Sequence, residues 1–479
     1  MIHKLLICLF CSLFCSLLPV SGVFAQGVPK ALGSALQKLE ADTSMKHAII
    51  SLYVADAATG AVVFDRNSQV GLAPASCQKI FTSVAALDLL GPDYRYKTSL
   101  GYSGKIENGV LKGDLYIEGS GDPTLGSWRY DSTKEAVVLR RWVEAVRGKG
   151  VRSFDGTIVA DDSRWDAQAV PGGWIWEDIG NYYGAGAWGL NWHENQYDLR
   201  LKPGAVEGEA AGFVSPADEL EIYNMASLVK TGAPGSGDHA TIYLGPYSGL
   251  AIVKGTVPLQ KQEFIISGSI PIPPRYAGIR LGEVLEKEGV KCSSKNIETS
   301  LTLSLEKKNM GHPDILLDTY FSPRLDSINY WFLRKSINLY GESLIKTMAY
   351  EKTGTGSTEK GVEIVRDFWS GHGIDLSAIH LVDGSGLSPQ NRVTTDALVS
   401  VLRYARTRPW YPAFYRALPE FNGMKMKSGS IGGARSFAGY QTSTDGKEYV
   451  FSIIINNYDG PPAEVVKKIY AVLNILKGY

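Results

Sequence analysis

Ser76-Cys77-Gln78-Lys79 places a hydroxyl and an amine three residues apart at the start of a predicted helix. Residues i and i+3 share a helix face, so the amine can reach the hydroxyl. The positive end of the helix favours a developing alkoxide. A lysine desolvated near other cations loses its proton close to neutral pH and serves as a base. The pattern alone is not selective, because Ser227/Lys230, Ser304/Lys307, Ser343/Lys346 and Ser357/Lys360 repeat the spacing. Only Ser76 opens a long apolar-faced helix directly after a strand pair and a Pro74-Ala75 step. Ser304 lies in an alternating, strand-like run and Ser357 in a Gly-rich loop. Ser343, on a helix, is the strongest rival but has no strand-to-helix entry.

Ser336-Ile337-Asn338 can present a relay hydroxyl beside a substrate-binding carboxamide. It is preferred to Ser327-Ile328-Asn329 because Leu339-Tyr340-Gly341-Glu342 follows it and starts a helix. Lys427-Ser428-Gly429 sets a lysine, a hydroxyl and a glycine at the start of a predicted strand, where they can hold a carboxylate. The glycine lets a substrate backbone come close. Literal Lys-Thr-Gly occurs at 230–232 and 352–354, but both copies run into Gly-rich loops.

The elements that must position these groups come from both ends of the chain. A helix is predicted over 28–42, a strand over 47–55, a turn at 58–60 and a return strand from Val62. The Ser76 helix stops at Gly91-Pro92. Helices resume from Leu325 to Ala349 and again from Val393 to Tyr404. Strands are expected over 437–441 and 450–455, and a helix over 464–476. Between residues 93 and 290, Gly, Trp, Tyr and short alternating runs dominate. The expected fold is therefore α/β (α+β), one domain built from both ends of the chain. Residues 26–92 and 291–479 make the catalytic domain, and 93–290 a β-rich insertion of two subdomains.

Lys+Arg and Asp+Glu are equal at 49 each, which gives no electrostatic reason to expect nucleic acid. Lys4, the apolar stretch Leu5 to Val20 and Val23-Phe24-Ala25 read as a signal peptide over 1–25, cleaved after Ala25. The stretch is too short for a comfortable membrane span. Cys8, Cys11 and Cys15 lack the small preceding residue of a lipobox and leave with the signal, so Cys77 and Cys292 remain. Two distant cysteines make no disulfide framework. Cys77 reads as a small buried residue without a partner base.

S-x-x-K, S-x-N and K-[ST]-G in that order form the signature set of the penicillin-recognising serine enzymes. Beyond the triplet, Gly113-Asp114-Leu115-Tyr116, Gly119-Ser120-Gly121-Asp122-Pro123, Asp383-Gly384-Ser385-Gly386-Leu387-Ser388 and Ala438-Gly439-Tyr440 resemble the class C low-molecular-mass penicillin-binding proteins. This is the penicillin-binding protein 4 type, the D-alanyl-D-alanine carboxypeptidase/endopeptidases of peptidase family S13. The likeness covers nearly the whole mature chain, and a long insertion between the first two motifs is that family's hallmark.

The resemblance implies a penicillin-recognising serine transpeptidase-like domain, an antiparallel sheet flanked by helices, and a serine-type D-Ala-D-Ala carboxypeptidase that is also an endopeptidase. Its substrates would be peptidoglycan stem peptides ending in D-Ala-D-Ala, with β-lactams as inhibitors. It implies Ser76 as nucleophile, Lys79 as base and Ser336 as proton relay to the leaving amine. Asn338 would bind the acyl-side amide, Lys427, Ser428 and Gly429 the terminal carboxylate, and the N–H groups of Ser76 and Ser430 the oxyanion. No metal, cofactor, nucleic acid or membrane anchor after signal cleavage is expected, and the location is exported, periplasmic. Two residues depart from the pattern. Ser428 replaces a threonine but keeps the hydroxyl, and Pro389 stands where many relatives carry a basic residue, which leaves the third-position preference of the stem peptide open. Three other readings stay in view: a β-lactamase or esterase of the same fold, a non-catalytic wall-binding protein, and an unrelated His-dependent serine hydrolase. No G-x-S-x-G elbow supports the α/β-hydrolase form of the last.

Overall fold

The computed structural model describes residues 27–214, 224–260, 262–293 and 296–478. The expected signal peptide lies outside them. Helix α1 (Gly27–Glu40) buries Leu32, Leu36 and Leu39 at helical spacing. Strands β1 (Ile49–Asp56) and β2 (Val62–Arg66) pair antiparallel and lead into α2 (Lys79–Leu89). From Lys79 to Leu87 every residue of α2 is buried, so this helix is enclosed on all sides.

The insertion then adds β3 (Lys97–Tyr102), β4 (Leu115–Glu118), α3 (Glu135–Gly148), β5 (Ile158–Asp161) and β6 (Gln196–Lys202). It continues through β7 (Asn224–Gly232), β8 (His239–Tyr243), β9 (Leu250–Pro258), β10 (Phe264–Ser269), α4 (Pro273–Lys287), β11 (Ile297–Thr299) and β12 (Ile315–Phe321). One sheet runs β11-β5-β4-β3-β12, and α3 and α4 share its apolar cluster. A second cluster gathers around β6 to β10.

The chain returns through α5 (Leu325–Arg334), α6 (Asn338–Thr353), α7 (Thr395–Arg406), β13 (Glu420–Phe421), β14 (Met424–Ile431), β15 (Ala434–Thr442), β16 (Glu448–Asn456) and α8 (Pro462–Leu473). Both ends of the chain meet in one antiparallel sheet, β13-β14-β15-β16-β1-β2. Alternation along its strands feeds two cores. Leu52, Met426 and Ile453 pack with α1 and α8, while Ala438, Val450 and Ile454 pack with α2, α6 and α7.

Four expectations need correction. The insertion does not end at 290, because β11 pairs with β5 and β12 with β3, carrying its sheet to Phe321. The middle of the chain is not short of helices: α3 presents Val138, Leu139, Trp142, Val143 and Val146 to the core, and α4 opens on a proline pair that suits a first turn. Ser304 lies in a helix, Ser300–Leu305, started by the reciprocal cap of Thr299 and Thr302. Lys427 sits inside β14 and not at its start.

Candidate active site

Residues Ala75–Gln78 form one 3-10 turn that continues into α2. Three residues per turn make side chains at i and i+3 eclipse, and the Ser76 Oγ lies 3.0 Å from the Lys79 Nζ. Ala75, just before the serine, holds a left-handed φ of 46°. Such a backbone costs on the order of 1–3 kcal/mol and persists only where its surroundings impose it. They do so here. The Asn456 carboxamide brackets Ala73, accepting from its N–H and donating to its carbonyl, and the Ser436 hydroxyl donates to the Pro74 carbonyl. Gly429 of β14 lies against the turn so closely that a Cβ would stand 2.3 Å from the Pro74 oxygen.

Lys79 is fully buried, and its amine contacts three oxygens: Ser76 Oγ at 3.0 Å, Asn338 Oδ1 at 2.6 Å and the Ser385 carbonyl at 2.7 Å. Burial first, and the Lys427 cation second, hold its pKa well below the ordinary lysine value. Asn338, the first residue of α6, donates through Nδ2 to the Tyr183 carbonyl of the insertion at 2.8 Å. Ser336 precedes it in the tight α5–α6 turn with a left-handed φ of 57°.

Lys427 is buried and lowered to about 8 by its burial. Its amine donates to the Ser428 carbonyl at 2.6 Å. β13 pairs with β14 only as far as Lys425, and the Met426 N–H goes to the Pro419 carbonyl on that outer side. By strand alternation the N–H and C=O groups of Ser428 and Ser430 also point to this edge. Beyond Met426 the edge has no partner strand among the described residues.

A cleft of about 350 Å³ opens between these pieces, lined among others by Ser76, Ser336, Asn338, Ser430 and Asp178. The structure thus brings Ser76, Ser336, Asn338 and Ser430 to one cleft wall, with Lys79 and Lys427 buried behind it and Ser428 and Gly429 on the strand between. The rival serines are elsewhere. Ser343 is enclosed, and its neighbour Lys346 is held by Asp166 at 2.8 Å. Ser357 caps the next helix by accepting from the Lys360 N–H, and Ser227 lies on β7. Asn329 is buried and accepts from the Ser83 hydroxyl. Burial pushes Cys77 up to about 11, so its thiol stays protonated.

Reasoning on residue spacing missed the supports of the site. Asp383 is buried, and its carboxylate accepts from Gln78, Trp174, Asn391 and the backbone of Gly386 and Ser388. It fixes the loop whose Ser385 carbonyl meets Lys79. Tyr183, Trp174 and Asp178 come from the insertion. Asn391, Gly386 and Ser388 lie within eight positions of the acid, but Gln78 and Trp174 are hundreds of positions away, so spacing alone carried only a faint signal.

The family model of the D-Ala-D-Ala carboxypeptidase 3 (S13) family matches residues 32–420. The chain belongs to that family. It is a serine peptidase of the S13 class, as the three motifs implied. A D-alanyl-D-alanine carboxypeptidase of an Actinomadura species is 28% identical over 90% of this chain and 82% of its own length. The D-alanyl-D-alanine carboxypeptidase DacB of Haemophilus influenzae is 24% identical over 83% of each chain. The crystal structure of penicillin binding protein 4 from Haemophilus influenzae superposes with a TM-score of 0.78 at 22% identity, covering 94% of this chain and 99% of that one, and shows the shared S13 fold.

Proposed function

We propose that this S13 protein hydrolyses the terminal D-Ala-D-Ala bond of peptidoglycan stem peptides through an acyl-enzyme on Ser76, and also cuts D-Ala cross-links as an endopeptidase. The observation that carries the reading is the set of contacts around Lys79. A neutral amine has two N–H donors and one lone pair. Asn338 Oδ1 and the Ser385 carbonyl accept the two donors, which leaves the lone pair for the Ser76 hydroxyl. That is the arrangement of a general base on a nucleophile.

Lys79 takes the Ser76 proton as Oγ attacks the carbonyl of the penultimate D-Ala. The substrate lies along the open edge of β14, where the Ser430 N–H and the Ser76 N–H receive the oxyanion. One such donor is worth roughly 3 kcal/mol in the transition state. Ser336 passes the proton to the leaving amine, Lys427 and Ser428 hold the terminal carboxylate, and Asn338 binds the acyl-side amide. Water then releases the acyl group. β-Lactams acylate the same serine. The protein acts outside the cytoplasm, in the periplasm, after its signal peptide is removed.

Incubation with a peptide ending in D-Ala-D-Ala, and with a cross-linked stem-peptide dimer, tests the reading. Free D-Ala and dimer cleavage are expected from the wild type and neither from Ser76→Ala. Release that persists in the variant overturns Ser76 as nucleophile.

A further inference from the structure

Glu342 is fully buried on α6, one turn beyond Asn338. Residues four apart share a helix face, so its carboxyl follows the Asn338 carboxamide toward the loop at 383–388. Glu342 Oε2 accepts the Gly384 N–H at 2.9 Å. Oε1 and the neighbouring Ser385 Oγ have no well-aligned partner among the described residues, although the Ser385 hydroxyl lies near enough to favour the charged form of Glu342. The same Gly384–Ser385 turn faces α2: Thr82 donates to the Gly384 carbonyl at 2.6 Å and Lys79 to the Ser385 carbonyl at 2.7 Å. Helix and loop touch backbone to backbone, and a Cβ on Gly384 would stand 2.4 Å from the Gly341 oxygen.

Two buried acids meet here with different surroundings. The five donors on Asp383 suit an ionised carboxylate. Glu342 accepts one, and no lysine or arginine pairs with it among the described residues. A buried charge with so little compensation is costly, and adjacent buried carboxyls divide into one charged and one neutral member. Burial, with the Asp383 charge second, pushes Glu342 up to about 8. The charged groups facing it are Asp383 from the loop, Lys79 from α2 and Lys346 from its own helix, the last paired with Asp166.

We propose that Glu342 is a positioning residue working as a neutral acid: it ties the Gly384–Ser385 turn to α6 and sets the Ser385 carbonyl against the Lys79 amine without giving that amine a counter-charge. The inference rests on the reading of Lys79 as the base. Asp383 already favours the ammonium form of Lys79, and an ionised Glu342 would add to that pull and weaken the base.

The test is the rate of Ser76 acylation by benzylpenicillin from about pH 5 to about pH 9, in wild type, Glu342→Gln and Glu342→Ala. Glutamine keeps an acceptor for Gly384 and a donor for Ser385 and carries no charge. It is expected to match the wild type in rate and in the pH of the acid limb. Alanine frees the turn, and acylation is expected to fall about a hundredfold with the preceding non-covalent affinity unchanged. An acid limb displaced to lower pH in Glu342→Gln makes Glu342 an ionised partner of Lys79 and overturns the proposal. Wild-type acylation by a folded Glu342→Ala overturns it as well. If the alanine variant does not fold, the glutamine limb decides alone. A wild type that takes no adduct overturns the acyl-enzyme reading and this proposal with it, whereas the other outcomes leave that reading standing.

Discussion

Asn338 Oδ1 accepts from Lys79 Nζ at 2.6 Å while the same carboxamide donates through Nδ2 to the Tyr183 carbonyl at 2.8 Å. The second bond decides the first. A backbone carbonyl can only accept, so the NH2 end turns to Tyr183 and the oxygen to the lysine. A backbone atom of the insertion therefore sets the polarity of a contact made by the Lys79 amine.

Asn338→Asp keeps the shape and puts a carboxylate against the amine. An opposite charge stabilises the ammonium and raises the lysine pKa, by about 1–3 units for close pairs. The base is lost as pH falls through that pKa. The acid limb of β-lactam acylation is expected to move upward by at least about one unit, with about a tenfold loss near neutral pH that is recovered at higher pH. Stopped-flow acylation across pH checks this; a limb that stays in place separates Asn338 from the proton on Lys79.

Lys427 predicts the opposite limb. Burial holds it at about 8, and in the proposed mechanism it binds the carboxylate as a cation, so the charge is present below that pH and lost above it. The kcat/KM for a free D-Ala-D-Ala peptide, which reports the unliganded enzyme, is expected to decline above about pH 8. The C-terminal amide of the same peptide has no carboxylate to lose and is expected to show no such decline. Equal alkaline limbs for the two peptides assign that limb to another group.

Asp178 is the one carboxylate among the described residues lining the cleft, and no lysine, arginine or histidine lines it. Pro389 also lines the cleft and brings no charge to it. A stem-peptide side chain ending in an amine is expected to be preferred over its N-acetylated form. Asp178→Asn is expected to erase that preference, through about 1 kcal/mol or about fivefold in kcat/KM. Competition between the two peptides measures it, and an unchanged ratio in the variant contradicts it.

How much was legible in the sequence depended on how local the cause was. The Ser76–Lys79 contact is made within one turn, so spacing reveals it, and the strand-to-helix entry singled it out from four repeats. Alternation exposed β1, and an unbroken apolar run exposed β16 as a central strand. β14 was harder, because Met424-Lys425-Met426-Lys427 buries a lysine beside its methionines, and burial of a charge has no local mark. The end of the insertion was misplaced because β11 spans only Ile297–Thr299 and β12 buries only Tyr320, so neither carries a clear period. Glu342, Asp383 and Tyr183 act through partners brought together only by the fold. An acid inside a helix or loop reads as surface until its neighbours are known.

The most direct measurement is the intact mass of the purified mature protein after brief exposure to benzylpenicillin, beside Ser76→Ala. The account predicts a gain of one adduct in the wild type and none in the variant. An adduct that persists in the variant, or none on a folded wild-type protein, contradicts Ser76 as the acylated residue.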